Sequence, residues 1–165
     1  MSDVAFRPFA WSDVPAVAAI YKHYVDETVI TFETEAPSEA AMADRFGKMV
    51  DLGHPVIIAE RAGQVLGYAY ASFYRPRAAY RFTCEDSIYL SKDAVGQGIG
   101  GKLLEALLDQ CRTAGFRQMI AVITAERANS IRLHERLGFR HVGRYEAVGF
   151  KFDRWLDIVH MQRAV

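Results

Sequence analysis

VGQGIGGKLLEALL, Val95 to Leu108, places four glycines in six positions (96, 98, 100 and 101) and then runs unbroken into a leucine-rich helical period. Gly96, Gly98 and Gly101 spell G-x-G-x-x-G, the dinucleotide fingerprint. In a dinucleotide-binding unit, however, the glycines follow a strand directly, and an acidic residue ends the next strand about 20 positions on. Here SKDAV intervenes after the strand-like SIYL, and only one further strand–helix pair follows, although Glu126 stands at a suitable distance. The NAD reading therefore fails on topology. Two readings remain: a turn whose glycines only let the helix pack closely, and an anion cradle. Glycines let consecutive N–H groups converge, and the helix behind adds its N-terminal dipole. The entropic cost of four glycines favours the cradle, and hence a bound phosphate.

Outward from this loop, the periods alternate between strand and helix. VAFRPF (4–9) alternates as a strand, and Ser12 is the expected cap of a helix carrying Val14, Val17, Ile20 and Tyr21. Ser38 opens a second helix with Met42, Phe46 and Met49 on one face. Between them DETVITFETEAP (26–37) has no helical period and reads as a polar, substrate-facing loop. PVIIAERAGQVLGYAYASFY (55–74) reads as two strands joined tightly at Ala62-Gly63, and EDSIYL (85–90) as a third. Leu103, Leu104, Leu107, Leu108 and Cys111 share one side of the glycine-loop helix, and Gly115 stops it. MIAVIT (119–124) suits a strand covered on both faces. A helix over 129–137 ends on Gly138, and strands follow near 139–147 and 155–162. The order β α α β β β α β α β β predicts an α/β (α+β) fold, a mixed sheet with helices on both faces.

With 165 residues, 51% of them hydrophobic and 24% charged, the chain suits one domain, residues 1–165. Lys plus Arg and Asp plus Glu are both 20, so no overall field draws it to nucleic acid or a membrane surface. No apolar run approaches a membrane span, and the N-terminus lacks a leader pattern, so a cytoplasmic protein is expected. Two cysteines form neither a metal cluster nor a disulfide framework, and no metal is expected. Cys111 reads as a buried small hydrophobe. Cys84, at a strand start, is open to a nucleophilic role as well.

The residues resemble those of the GNAT (GCN5-related) N-acetyltransferases. Val95, Gly98 and Gly100 align with that family's Gln/Arg-x-x-Gly-x-Gly/Ala pyrophosphate loop, with Val95 departing from it. NSIRLHERLGF (129–139) resembles a second family segment through Asn129, Gly138 and Phe139, placing His134 where many relatives carry a tyrosine. Further segments resemble the phosphinothricin and methionine sulfoximine acetyltransferase branch. These are Glu27-Thr28 with Phe32, YRPRAAYR with Arg75, Arg77 and Tyr80, the Glu85-x-Ser87-x-Tyr89 strand, and Gly149, Lys151, Trp155 and Asp157.

The resemblance implies a mostly antiparallel sheet of about seven strands and acetyl-CoA as co-substrate, with its pyrophosphate held by residues 95–101 (Val95, Gly96, Gln97, Gly98, Ile99, Gly100, Gly101). It implies that backbone groups of Ile88, Tyr89 and Leu90 face the thioester oxygen, and that Asn129 binds the same arm. An attacking amine needs a base, for which Glu85 is the candidate. His134 could supply a proton to the thiolate or take one from the amine, and sequence does not divide these roles. Arg75 and Arg77 suit an anionic or tetrahedral polar group of a small amino acid, with Tyr80, Phe32, Glu27 and Ser87 completing the pocket. The implied reaction is acetylation of the α-amine of phosphinothricin, methionine sulfoximine or methionine sulfone, by a homodimer. A peptide or protein N-terminal acetyltransferase and a non-catalytic acetyl-CoA or amino-acid sensor are the alternatives.

Overall fold

The computed structural model describes residues 3–165; Met1 and Ser2, where the leader reading begins, lie outside them. Seven strands and four α-helices follow the expected order. β1 (Ala5–Pro8), α1 (Val14–Glu27) and α2 (Glu39–Asp51) come first, then β2 (Val56–Arg61), β3 (Gln64–Phe73) and β4 (Thr83–Leu90). α3 (Ile99–Thr113), β5 (Gln118–Thr124), α4 (Ala128–Arg136), β6 (Arg140–Lys151) and β7 (Arg154–Ala164) complete it. The strands form one sheet in the order β1-β2-β3-β4-β5-β7-β6, antiparallel except where β4 meets β5.

Both faces are covered, so alternate residues of one strand enter different cores. Val56 and Ile58 of β2 pack with α1 and α2, alongside Tyr21, Phe46, Tyr68 and Tyr89. Ile57 and Ala59 pack on the other side, against Leu103, Leu104, Leu107 and Leu108 of α3. No helix of the described residues is long and apolar enough to cross a membrane.

Local chemistry sets the turns. Ala62 (φ 50) and Gly63 (φ 79) make the two-residue hairpin, Gly115 (φ 90) follows α3, and the Ser38 hydroxyl accepts the Ala41 N–H to cap α2. Ser12 does not cap α1. It is exposed within a 3₁₀ turn, Trp11–Asp13. Asp13 holds the N-cap position instead, and its carboxylate turns back to the Ala10 N–H and to two bonds from Arg7, each 2.8 Å long, with none to the N–H groups of α1. The terminal strands are longer than expected, meeting at a tight turn through Phe152 and Asp153, both at positive φ.

Candidate active site

β4 and β5 pair over three residues only, ending at Glu85 opposite Ile120. Beyond that point β4 stays with β3 and β5 with β7, so the sheet parts in its middle. A cleft of ≈ 760 Å³ opens there, lined by Asp86–Leu90, by Ala121–Thr124, and by residues of α4 and the glycine loop. Strand alternation turns the Tyr89 amide toward β3 and the Ile88 and Leu90 amides toward the gap. Leu90 is already partnered: its N–H donates to the Tyr24 hydroxyl (3.3 Å), which donates to the Leu90 carbonyl (2.6 Å). Of the three expected amides, that of Ile88 faces the gap.

At the cleft's far end Gly96 (φ 82) and Gly98 (φ 75) hold the left-handed conformation that frees the loop amides, and a Cβ at either would meet only open space. Gly98 is the N-cap of α3, whose first turn carries no acidic residue, so its amides and dipole favour an anion. Val95, Gly100 and Gly101 line the cleft too. Ile99 instead points into the core, and the Gln97 side chain turns to Arg61 and the Asp93 carbonyl, leaving both residues to act through backbone N–H groups. An open nest at a helix N-terminus, continuous with a split in the sheet, fits a pyrophosphate with a narrow polar arm attached.

Two carboxylates and a histidine stand at the closed end. Glu85 lines the cleft, and its pKa is pushed up to about 7 by burial and by the charge of Asp86, against the opposing pull of Arg75. Asp86, next along β4, points to the opposite face, where it meets His134 of α4. The two side chains are each 2% exposed, with Asp86 Oδ2 3.0 Å from His134 Nε2. His134 Nδ1 lies 2.7 Å from the Ser130 carbonyl. Burial works to lower the His134 pKa, but the bond and charge of Asp86, with the Ser130 carbonyl, hold it above the ordinary value. Asn129, Ser87 and Phe32 also line the cleft.

Other expected residues stand elsewhere. Glu27 ends α1 and is held by Lys92 (3.0 Å) and His23 (3.2 Å). Arg75 and Arg77 are exposed on the β3–β4 connection outside the cleft lining, Arg75 over the Tyr74 ring. Tyr80 packs edge-on against Tyr74. Cys84 and Cys111 are both fully buried free thiols, which leaves Cys84 no access to a substrate.

Two residues, and the contacts of several others, escaped the sequence reading. Tyr24 and Asp86 carry no motif, although alternation along EDSIY already opposes Asp86 to Glu85. The segment after α1 is fastened at three points: Thr124 donates to the Val29 carbonyl (2.6 Å), Lys151 to the Thr31 carbonyl (2.8 Å), and the Tyr21 and Thr31 hydroxyls lie 2.8 Å apart. These bonds hold Ile30 and Phe32 at the cleft mouth. A Cβ on Gly149 would lie 2.2 Å from the Phe32 ring, so only glycine admits that ring.

The sequence profile of the Acetyltransferase (GNAT) family matches residues 17–139. The chain belongs to the GNAT acetyltransferase family. It is 47% identical over 152 residues to a phosphinothricin N-acetyltransferase of Alcaligenes faecalis, covering 92% of this chain and 77% of that one. An L-methionine sulfoximine/L-methionine sulfone acetyltransferase of Pseudomonas paraeruginosa is 40% identical over 160 residues, covering 96% and 92%. A GNAT superfamily phosphinothricin acetyltransferase of Sinorhizobium meliloti, solved in complex with AcCoA, superposes with a TM-score of 0.96 at 47% identity, covering 100% of this chain and 89% of that one. The seven-stranded, mostly antiparallel sheet with helices on both faces is the GNAT fold, and this GNAT protein is an acetyl-CoA-dependent acetyltransferase.

Proposed function

We propose that the chain, acting as a single GNAT domain over residues 1–165, moves the acetyl group of acetyl-CoA to the α-amine of a small amino acid in the cytoplasm. The substrates we assign are of the class of phosphinothricin, methionine sulfoximine and methionine sulfone. The observation that carries this reading is the meeting, at one split in the sheet, of an anion nest and a half-buried carboxylate poised near neutrality. The names of the relatives, at 40–47% identity over nearly the whole chain, support the amino-acid class.

Acetyl-CoA supplies an activated acyl group, a thioester. The amides of residues 96–101 and the positive end of α3 hold its pyrophosphate, and Asn129 flanks the arm between β4 and β5. The Ile88 N–H would face the acyl oxygen, on which negative charge develops. Glu85 takes the proton of the substrate ammonium; with its pKa near 7 it is ionised often enough to act and basic enough to accept. Phe32 and Ile30 wall the amine side, and Arg75, whose charge reaches Glu85, offers a guanidinium fork to an anionic group at the rim.

We also assign a homodimer. β6 is an edge strand, and the β6–β7 hairpin exposes Tyr145, Val148, Phe150, Phe152 and Trp155, the last 66% exposed. An apolar strip on an open edge of this kind suits a second copy. Sedimentation at several concentrations checks it, and a monomer throughout refutes it.

Thiol release from acetyl-CoA tests the function with purified protein and a panel of phosphinothricin, methionine sulfoximine, methionine sulfone, common amino acids and a short peptide. Turnover with the sulfoximine-like or phosphinate amino acids is expected. Acetylation of the peptide alone would refute the amino-acid class. Acetyl-CoA binding without turnover on any amine would make the protein a sensor.

A further inference from the structure

Asp86 belongs to none of the motifs that mark this site, yet it is the acidic partner of a buried histidine there. The bonding pattern fixes the protons. A carbonyl oxygen only accepts, so the contact between His134 Nδ1 and the Ser130 carbonyl at 2.7 Å requires a proton on Nδ1. The contact between Nε2 and Asp86 Oδ2 at 3.0 Å then requires a second proton between those two atoms. The remaining Asp86 oxygen, Oδ1, is buried and takes no hydrogen bond from the described residues. Removing the shared proton would leave a carboxylate sealed from water with no cation against it, a costly state.

We infer that Asp86 is a positioning residue that keeps His134 protonated at both ring nitrogens, so that His134 holds a proton for the departing sulfur and Glu85 takes the first proton of the amine. This rests on the acetyl-transfer reading above. The surroundings sharpen it. β5 (QMIAVIT) contributes no titratable group. Beside Asp86 lie Glu85 of β4 and the Cys84 and Cys111 thiols; Arg132, Glu135 and Arg136 flank His134 on α4 itself, and Phe139 packs edge-on against its ring. Among the described residues no cation other than His134 is bonded to Asp86.

Proton balance follows. The substrate ammonium gives one proton to Glu85, and its nitrogen bonds the acetyl carbon. As the C–S bond breaks, His134 gives its Nε2 proton to the sulfur and remains a neutral Nδ1–H imidazole beside Asp86. The second proton of the nitrogen restores His134, and Glu85 releases the first to solvent.

Imidazole ¹⁵N–¹H correlation spectra of the labelled protein test this without turnover, with His134→Gln supplying the assignment. The wild type is expected to show both His134 nitrogens protonated at about pH 7 and still protonated above the range in which a free histidine loses its proton. Asp86→Asn is expected to leave one nitrogen bare over the same range, and to lower kcat about 10- to 100-fold with KM for acetyl-CoA unchanged. Glu85→Gln should lower turnover about 10²- to 10⁴-fold and leave the His134 signals intact. A bare His134 nitrogen in the wild type at about pH 7 overturns the inference, as does an Asp86→Asn spectrum identical to the wild type. The wild-type spectrum decides the matter even if Asp86→Asn fails to fold. Two protonated nitrogens in a protein that acetylates no amine would uphold the Asp86 assignment and refute the acetyl-transfer reading instead.

Discussion

Glu85→Gln should make the protein more stable as it makes it inactive. The carboxyl sits with a pKa of about 7 against an ordinary 4.5, raised chiefly by burial. An acid whose pKa is raised on folding is held equally in both states below about pH 4.5. Between there and neutrality the unfolded chain ionises while the folded one resists, and stability is lost as pH rises. Above about pH 7 the loss is complete, at about 3 kcal/mol, an upper figure because the cleft admits water. Glutamine keeps the shape and carries no charge. Urea denaturation followed by circular dichroism should find Glu85→Gln more stable than wild type by about 2–3 kcal/mol at pH 8, about 4–12 °C in Tm for a chain of this length. Near pH 4.5 the two should coincide. In parallel, kcat/KM of the wild type should fall on an acid limb near pH 7, and the variant should lose about 10²- to 10⁴-fold in rate. A stability difference that is absent at pH 8, or equal at both pH values, would refute the placement of a half-buried, reluctantly ionised carboxyl.

Three further outcomes follow from particular contacts. Gly98→Val forces a β-branched residue to φ near 75° at the mouth of α3 and should weaken acetyl-CoA binding at least about tenfold by calorimetry, whereas Gly101→Ala, whose Cβ would meet Leu133 at an ordinary 3.9 Å, should bind as wild type. Equal affinities for both variants would remove the cradle. Gly149→Ala should push the Phe32 ring from its seat and raise KM for the amino acid about tenfold or more while sparing KM for acetyl-CoA, and steady-state kinetics that shift both or neither would count against Phe32 as a substrate wall. Lys151→Met removes the charged donor to the Thr31 carbonyl and should cost about 1.5–3 kcal/mol in urea unfolding; a cost below about 0.5 kcal/mol would mean the contact contributes little.

What could be read from the sequence was what chain-local chemistry dictates. Periods of two and of 3.6 gave the order of strands and helices, and Ala62-Gly63, Ser38 and Gly115 punctuated it as read, because each acts within a few residues. Ser12 failed because the N-cap falls one residue later, at Asp13, whose carboxylate is pinned by Arg7 of the preceding strand, a tertiary partner no capping rule contains. The same limit governs the site. The glycines, Asn129 and Glu85 were legible as motif positions. Asp86 gains its meaning only when α4 arrives 48 residues later, and Lys151 reaches a carbonyl 120 residues back. Arg75 and Arg77 were read for their chemistry, but nothing local tells an arginine on the connection after β3 whether it stands inside a wall or at its rim.

The division between β4 and β5 also changes what kind of object the sheet is. An ordinary open sheet has two edges, at its first and last strands; this one has four, two of them in the interior. Only three residue pairs of the sheet's own ladder join the β1–β4 half to the β5–β7 half across that seam; the rest of the joint is α3, whose leucines share one core with strands of both halves. The Ile88 amide, in the strand at the sheet's centre, therefore has the exposure of a border position, and its hydrogen should exchange with solvent far sooner than that of Tyr89 beside it. The sheet is two plates joined by strand pairing at one corner and bridged by α3 over it, and the line where its ladder is open is the line along which the molecule works.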